Sequence, residues 1–337
     1  MSDVNPFEGP TELEVLRETA RRLQAQLAEA RIRGKALVDA AYRGAYDASS
    51  LVPLAPVKAP KADNRKASPE TALWHMTDWQ GAKVTTSYNS QIMVERVNRF
   101  VDKAESITMI QRAHHPVPNA VIMFGGDMVE GLFNFPTQPY EVDSTIFGQY
   151  VTVSKLLVDV VRRALSFYGH VTVVAEWGNH GRVGSKRDAV PRSDNIDRMC
   201  YELARQLLKD EPRLTWDDCP EDIQRVEIGN YRALLCHGDE PGRNGFVSPG
   251  QFQNHANKWK AGGYKWDFQD VYVGHYHRDA KEPLADGVGA IYWTGSTESD
   301  NRYARDGMGV NAAPSQRLHF VDPEKGRVTA GYQVWLD

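Results

Sequence analysis

The rhythm of apolar positions along this chain changes twice. From Thr11 onward, apolar or small residues recur at Leu13, Leu16, Ala20, Leu23, Leu27, Ala30, Gly34, Leu37 and Ala41. The steps alternate three and four, the spacing of a helix–helix seam. Thr11 with Glu14 three residues later reads as a capping box. The pattern predicts a helical arm over residues 1–47. Its seam over 11–41 is either a coiled coil that joins copies into a homo-oligomer or a face packed on its own domain. Ala30, Gly34 and Ala41 weaken the second half, because small residues bury little area. Between 48 and 69 the periodicity stops. Pro53, Pro56 and Pro60 push the residues before them toward extended geometry, and Lys58 and Lys61 follow closely. A semi-rigid Pro/Ala/Lys linker is expected over 48–69, with one domain over 70–337.

In that domain short apolar runs, each closed by polar residues, alternate with longer helical stretches. Ala72–Met76 ends at Asp78-Trp79-Gln80, Ala120–Phe124 at Gly125-Gly126-Asp127, and Val171–Ala175 at Gly178-Asn179-His180. Tyr231–Cys236 ends at His237-Gly238-Asp239, and Asp270–Val273 at Gly274-His275-Tyr276-His277. Helix-like patterns cover Gln91–Arg112, Gly148–Phe167 and Asp194–Leu208. Strands alternating with helices predict an α/β fold. Ligands of such sheets bind beyond the carboxyl ends of the strands. Five successive strand ends here carry a carboxylate, a carboxamide or an imidazole.

Composition narrows the partners. Forty Lys+Arg against 44 Asp+Glu give a net charge of −4, which provides no global basic field for nucleic acid but allows a local basic cleft. The three cysteines, Cys200, Cys219 and Cys236, form no CxxC pair and are expected to be free thiols. No apolar run approaches a membrane span, and Met1–Pro10 has no apolar core of a signal peptide. The expectation is a protein with no membrane partner, in the cytoplasm.

Asp78, Asp127, Asn179, His237, His275 and His277 mix oxygen and nitrogen donors without a thiolate, a set suited to Mn²⁺, Fe²⁺, Zn²⁺, Co²⁺ or Ni²⁺. They exceed what one tetrahedral ion needs. A shared carboxylate, Asp127, would let two ions act together on a phosphoryl group.

The order of these blocks resembles the signature of the calcineurin-like metallophosphoesterases: Asp78-Trp79-Gln80, Gly126-Asp127, Gly178-Asn179-His180, His237-Gly238 and Gly274-His275-Tyr276-His277. The resemblance covers residues 70–300, and within the family it points to the phage-encoded, SbcD-like exonuclease type. It implies a four-layer αββα sandwich of two mixed sheets. It also implies that Asp78 and His277 hold a first ion, that Asn179, His237 and His275 hold a second, and that Asp127 bridges. His180 would face the scissile phosphate as the acid, and Glu130, three residues after the shared aspartate, would orient it. Gln80 stands where the family has histidine. As a neutral, weaker donor it would lower affinity at the first site or favour a harder ion such as Mn²⁺ or Mg²⁺. Gly181 follows His180 where many members have Asp or Glu.

The surroundings of the acid bear on substrate. Arg182, Lys186, Arg187 and Arg192 follow His180 closely and suit phosphate contacts, or else form a solvated loop. Arg243 opens a segment that leads to Lys258-Trp259-Lys260 and Tyr264-Lys265-Trp266, where cations alternate with aromatics as a single strand of nucleic acid would require. These aromatics equally suit a core. Thr294–Arg302 is a hydroxyl-rich loop near the cleft, or a turn. Three functions follow as expectations: a di-metal phosphodiesterase acting on DNA or RNA, a phosphatase or small-nucleotide phosphodiesterase, and a non-catalytic scaffold with a degenerate centre. Nuclease members imply an ATPase partner. The chain has no Gly-x-x-x-x-Gly-Lys-Ser/Thr loop, so that partner would be a separate chain.

Overall fold

The structure is a computed structural model. It describes residues 18, 39–40, 43–44, 46–47, 54–63, 65–184, 192–217, 223–242, 247–301 and 313–337. The chain divides into two units, Met1–Asp47 and Ala48–Asp337. In the first, the described residues are helical, and the predicted seam over 11–41 lies almost wholly outside them. In the second, residues 54–63 run without regular structure along the domain, where Arg162 and Arg213 each donate at 2.9 Å to the carbonyls of Ala55 and Val57.

One sheet is built on β1 (Thr71–Met76), β2 (Asn119–Phe124), β3 (His170–Ala175) and β4 (Leu214–Asp217), all parallel. On the other side of β1 lie β10 (Ser315–Asp322), antiparallel to it, and β11 (Arg327–Trp335), antiparallel to β10. The second sheet has a parallel centre of β6 (Tyr231–Cys236), β7 (Asp270–Val273) and β9 (Ala290–Trp293), edged by antiparallel β5 (Gln224–Ile228) and β8 (Ala280–Pro283). Helices α1 (Ser90–Gln111), α2 (Ile146–Phe167), α3 (Ile196–Leu207) and α4 (Pro249–Lys258) complete the domain.

The alternation of side chains along each strand explains the layering. Leu73, Val121, Met123 and Val174 of the first sheet pack against Ala233, Leu235, Tyr272 and Tyr292 of the second. The intervening Trp74 points the other way, with its ring 5.6 Å from Phe100 of α1 and 5.9 Å from Tyr168 at the end of α2. In the second sheet Leu234, Cys236, Val271, Val273 and Trp293 turn outward onto Phe252 and Ala256 of α4. The result is the four-layer αββα sandwich of two mixed sheets. Strands β1, β2, β6 and β7 are buried on both faces, which is why they read as near-continuous apolar runs, while β3 is half-buried at His170, Thr172 and Ala175.

The expected strands and helices match these within two residues at their ends. The C-terminal hairpin β10–β11 was not anticipated. All eight residues of β10 are buried although five are polar. Asp322 accepts from Lys325 in the hairpin's own turn, whereas Gln316, Arg317 and His319 find partners in the opposite sheet and the site loops. Arg317 donates to Asp279 at 2.6 Å and to the Trp293 carbonyl at 2.7 Å, and His319 Nδ1 lies 2.7 Å from the Tyr272 hydroxyl. Gln316 brackets the exit of β1, accepting from Thr77 N at 2.7 Å and donating to Thr77 O at 3.0 Å. Cys200 and Cys236 are buried free thiols. Among the described residues, no helix is long and apolar enough to cross a membrane.

Candidate metal centre

The loops after β1, β2, β3, β6 and β7 leave both sheets at their carboxyl ends and are stitched to one another by backbone hydrogen bonds. Asp78 N donates to Gly126 O and Gln80 N to Asp127 O, both at 2.9 Å. The chain turns sharply to do so. Among the described residues seven non-glycines have positive φ, and five of them are Asp78, Gln80, Asp127, His275 and His277. Each such residue stores about 1–3 kcal/mol, which the surrounding packing must hold in place. Strain concentrated on the residues that carry donor atoms marks a functional site rather than an ordinary set of turns. The approach of the loops leaves no room at Gly178, where a Cβ would fall 1.9 Å from Asp127 Oδ1.

The side chains converge. His237 Nε2 lies 3.0 Å from Asp127 Oδ2 and 3.2 Å from Asn179 Oδ1. Gln80 Nε2 lies 3.4 Å from the same Asp127 oxygen and 3.3 Å from His277 Nε2, which is 3.2 Å from Asp78 Oδ1. Nitrogen atoms of His237 and His275 and an Asp127 oxygen all lie within 4.8 Å of one another. The His275 backbone N–H donates to Asp78 Oδ2 at 2.9 Å. Every metal-ligand residue expected from the sequence is therefore in this cluster.

The donor set fits a divalent cation on two observations. His237 donates its Nδ1 hydrogen to the Gly125 carbonyl at 2.8 Å, so in the neutral ring the Nε2 lone pair faces Asp127 Oδ2 and Asn179 Oδ1. These three atoms stay together only with positive charge among them, a proton on Nε2 or a bound cation. In addition, Gln80 Oε1 is buried without a hydrogen-bond partner. The remote ring nitrogens are held as metal-bound histidines require, by the Gly125 carbonyl for His237 and by Glu298 Oε2, 3.3 Å from Nδ1, for His277.

The electrostatics call for the same charge. Burial opposes protonation of His237, but the Asp127 carboxylate outweighs it and raises its pKa well above the usual histidine value. Burial likewise opposes charge on His277, and Asp78 and Glu298 raise it to about 10. Burial would raise the carboxyls of Asp127 and Asp78, yet the adjacent histidines, His237 for the first and His277 for the second, hold both low. His275 is pushed the other way, to about 3, by burial and by the neighbouring His237, and so keeps a lone pair.

His180 stands beside this cluster, at the edge open to solvent. Its backbone N–H donates to Asp127 Oδ1 at 2.7 Å, its Nδ1 lies 3.0 Å from Glu130 Oε2, and the Phe135 ring is 5.0 Å away. Burial lowers its pKa, but Glu130 and Asp127 overcome that and bring it to about 9. Glu130 is buried and its other oxygen, Oε1, pairs with Lys83 at 3.2 Å.

The residues expected to contact phosphate divide. Arg182 pairs with Asp239 Oδ2 at 2.5 Å. Arg192 lies 3.1 Å from Asp239, 3.3 Å from Glu240 and 3.5 Å from Glu176. Burial raises the Asp239 carboxyl, but these two arginines hold it low. Lys186, Arg187 and Arg243 lie outside the described residues. The basic-aromatic stretch is largely taken up inside the domain. Trp259, Tyr264 and Trp266 pack on the outer face of the second sheet, and Lys260 pairs with Asp286 at 3.4 Å and Asp267 at 3.5 Å.

Several contributors were missed. Glu298 lies within the hydroxyl-rich loop after β9, whose Ser296 and Thr297 hydroxyls donate to the carbonyls of Asp78 and Trp79 at 2.6 and 3.0 Å. Asp197 at the start of α3 accepts from Gly178 N at 2.9 Å and Val129 N at 3.1 Å, joining two site loops. Gln138 accepts from Asn134 N at 3.0 Å and donates to Glu130 O at 2.5 Å. None belongs to a motif. A polar residue shortly after a short apolar run was the available signal for Glu298.

No protein-family model matches the chain, and no curated protein matches it. Among solved structures the chain is similar to Vps29 of Entamoeba histolytica complexed with Zn²⁺, at 11% identity over 79% of this chain and 99% of that one, with a TM-score of 0.33. It is similar to a putative 5′-nucleotidase of Staphylococcus aureus at 12% identity over 79% and 54% of the two chains, with a TM-score of 0.34. The phosphopantetheinyl hydrolase PptH of Mycobacterium tuberculosis gives 12% identity, 68% and 91% coverage, and a TM-score of 0.33.

Proposed function

We propose that this chain is a metal-dependent phosphoesterase that hydrolyses phosphodiester bonds, with DNA or RNA as its substrate. One observation supports the reading above all others. Donor side chains from five strand ends and both sheets meet at a single buried point, with an imidazole–carboxylate pair at its open edge. In this reading Asp78, Gln80 and His277 hold one divalent ion, and Asn179, His237 and His275 hold a second. Asp127 serves both. Mn²⁺ suits the set best, with Fe²⁺, Zn²⁺, Mg²⁺, Co²⁺ or Ni²⁺ as alternatives. When bound, such ions polarise a phosphoryl oxygen and make a hydrolytic nucleophile available at neutral pH.

The remaining work falls to His180 and Glu130. Glu130 occupies Nδ1, so Nε2 is the nitrogen left to face substrate. A water oxygen bonds to phosphorus and gives up its proton to solvent, the ester P–O bond breaks with its electron pair going to the leaving oxygen, that oxygen takes the Nε2 proton, and solvent then supplies a new proton to the ring. The Glu130 carboxylate favours the charged ring before transfer and fixes its orientation throughout.

A second reading, a phosphatase or small-nucleotide phosphodiesterase, is favoured by the ion pairs of Arg182 and Arg192 with buried acids. Cations already engaged in this way hold less charge for a long polyanion. The two readings separate in one assay. Protein supplied with Mn²⁺ is incubated with labelled single- and double-stranded DNA and RNA, a cyclic nucleotide, and aryl phosphate mono- and diesters. Shortened polynucleotide supports the nuclease reading. Turnover of monoesters or small nucleotides alone would replace it with the second. Full metal loading without turnover of any substrate would leave only a scaffold.

A further inference from the structure

We propose that Lys83 is the positioning residue of the His180 acid, acting through Glu130. The inference rests on the phosphoesterase reading above and extends it to a residue outside every motif block.

Lys83 sits three residues beyond Gln80, on a segment whose backbone is bonded to that of Glu130 and of Glu141. Glu130 N donates to Gly81 O at 2.9 Å, Val84 N donates to Glu141 O at 2.8 Å, and Lys83 bridges Val142. The lysine is 8% exposed, which is unusual for this residue type and needs a reason. Its ammonium lies 3.2 Å from Glu130 Oε1 and 2.6 Å from Glu141 Oε2. Glu130 is 1% exposed and divides its two oxygens, Oε1 to Lys83 and Oε2 to His180 Nδ1 at 3.0 Å. Glu141 is half exposed on its side chain and anchors the ammonium from the solvent side.

The four groups form one chain of alternating charge, Glu141–Lys83–Glu130–His180. A buried carboxylate without a counter-charge is costly and turns toward whatever donor it can reach. With Lys83 in place, Oε1 is committed and Oε2 is left aimed at the imidazole. Without it, Glu130 is free to rotate, and His180 loses the partner that keeps Nε2 toward the leaving group. Lys83 itself touches no reacting atom.

Proton donation matters in proportion to how poor the leaving group is, and this gives a readout that a merely structural role would not move. The test compares Mn²⁺-loaded wild type, Lys83→Met and Lys83→Arg on two diesters, a dithymidine phosphate, which expels an alkoxide, and bis(4-nitrophenyl) phosphate, which expels a stable phenolate. Lys83→Met is expected to lower kcat on the dinucleotide roughly 10- to 100-fold, against less than about threefold on the nitrophenyl ester, with KM and bound metal unchanged. Lys83→Arg should restore most of the dinucleotide rate. If Lys83→Met does not fold, Glu141→Gln must give the same selective loss on a smaller scale, about two- to fivefold. Equal losses on both esters, or none on either, overturn the role of Lys83 while leaving the phosphoesterase reading intact. A wild type that cleaves neither ester overturns that reading and this proposal with it.

Discussion

His180 donates its backbone N–H to the carboxylate that also faces His237, so His180 and Asp127 are fixed to each other. Its Nε2 lies 3.9 Å from Asp127 Oδ2, farther than His237 at 3.0 Å or Gln80 at 3.4 Å, and this placement at the cluster's edge has a measurable consequence. His180→Ala should lower kcat by about 10²- to 10⁴-fold while bound metal, counted by elemental analysis, stays at the wild-type level. Loss of metal in that variant would mean the ring is a ligand. Gln80 gives the complementary case. Replacing a neutral amide with an imidazole (Gln80→His) should tighten ion binding at the Asp78–His277 side by roughly tenfold in calorimetry, and an unchanged isotherm would remove Gln80 from the site. At this scale the sequence was most legible where a residue's chemistry and its position after a strand coincided, as for Asp127 and His275. Lys83 and Glu298 were opaque because their role comes from partners 47 and 21 positions away, Glu130 and His277.

The elements explain why so few residues had to be guessed. Four strands buried on both faces, and β3 buried at Val171, Val173 and Val174, announce themselves as apolar runs that end in polar residues. The loops that follow are close-packed to a degree that composition does not reveal. Gly178→Ala would place a methyl 1.9 Å from Asp127 Oδ1 and 2.1 Å from Asp127 N. It should cost about 1–3 kcal/mol of stability and weaken metal binding in the same preparation. Gly250→Ala is the control, since nothing lies within 4 Å of its added carbon, and its melting temperature should equal or slightly exceed wild type because alanine favours the helix Pro249–Lys258. Strand β10 shows the opposite limit. Its Gln316, Arg317 and His319 look like surface residues in a sequence, and only the second sheet and the β1 exit loop supply the partners that allow them to be buried.

Across the whole molecule, the mostly apolar layer between the sheets also holds the buried imidazoles of His75 and His319, and this makes stability depend on acid. Burial lowers the pKa of His75 to about 3 and that of His319 well below the ordinary value. Both therefore stay neutral in the folded protein while the unfolded chain takes up protons below about pH 6.5. Their contribution is complete above that pH and is lost as pH falls from 6.5 toward 3, by up to about 1.4 kcal/mol per pH unit for each ring. Denaturant melts at pH 6 and pH 4.5 should show His319→Gln losing stability less steeply than wild type, by roughly 1 kcal/mol per pH unit. Equal slopes would mean His319 is charged or solvated in the fold. The layered architecture followed from alternating strands and helices, but this seam depends on side-chain contacts across the two sheets, such as Tyr272 of β7 with His319 of β10, that no local pattern links.

The central claim is that donor atoms from five separated segments enclose divalent cations around Asp127. Anomalous diffraction from crystals grown with Mn²⁺, recorded at its absorption edge, tests it most directly. The account predicts two peaks flanking the Asp127 carboxylate, one shared with Asp78, Gln80 and His277 and the other with Asn179, His237 and His275. Saturating Mn²⁺ with no peak among these side chains, or with peaks only elsewhere on the protein, would contradict it.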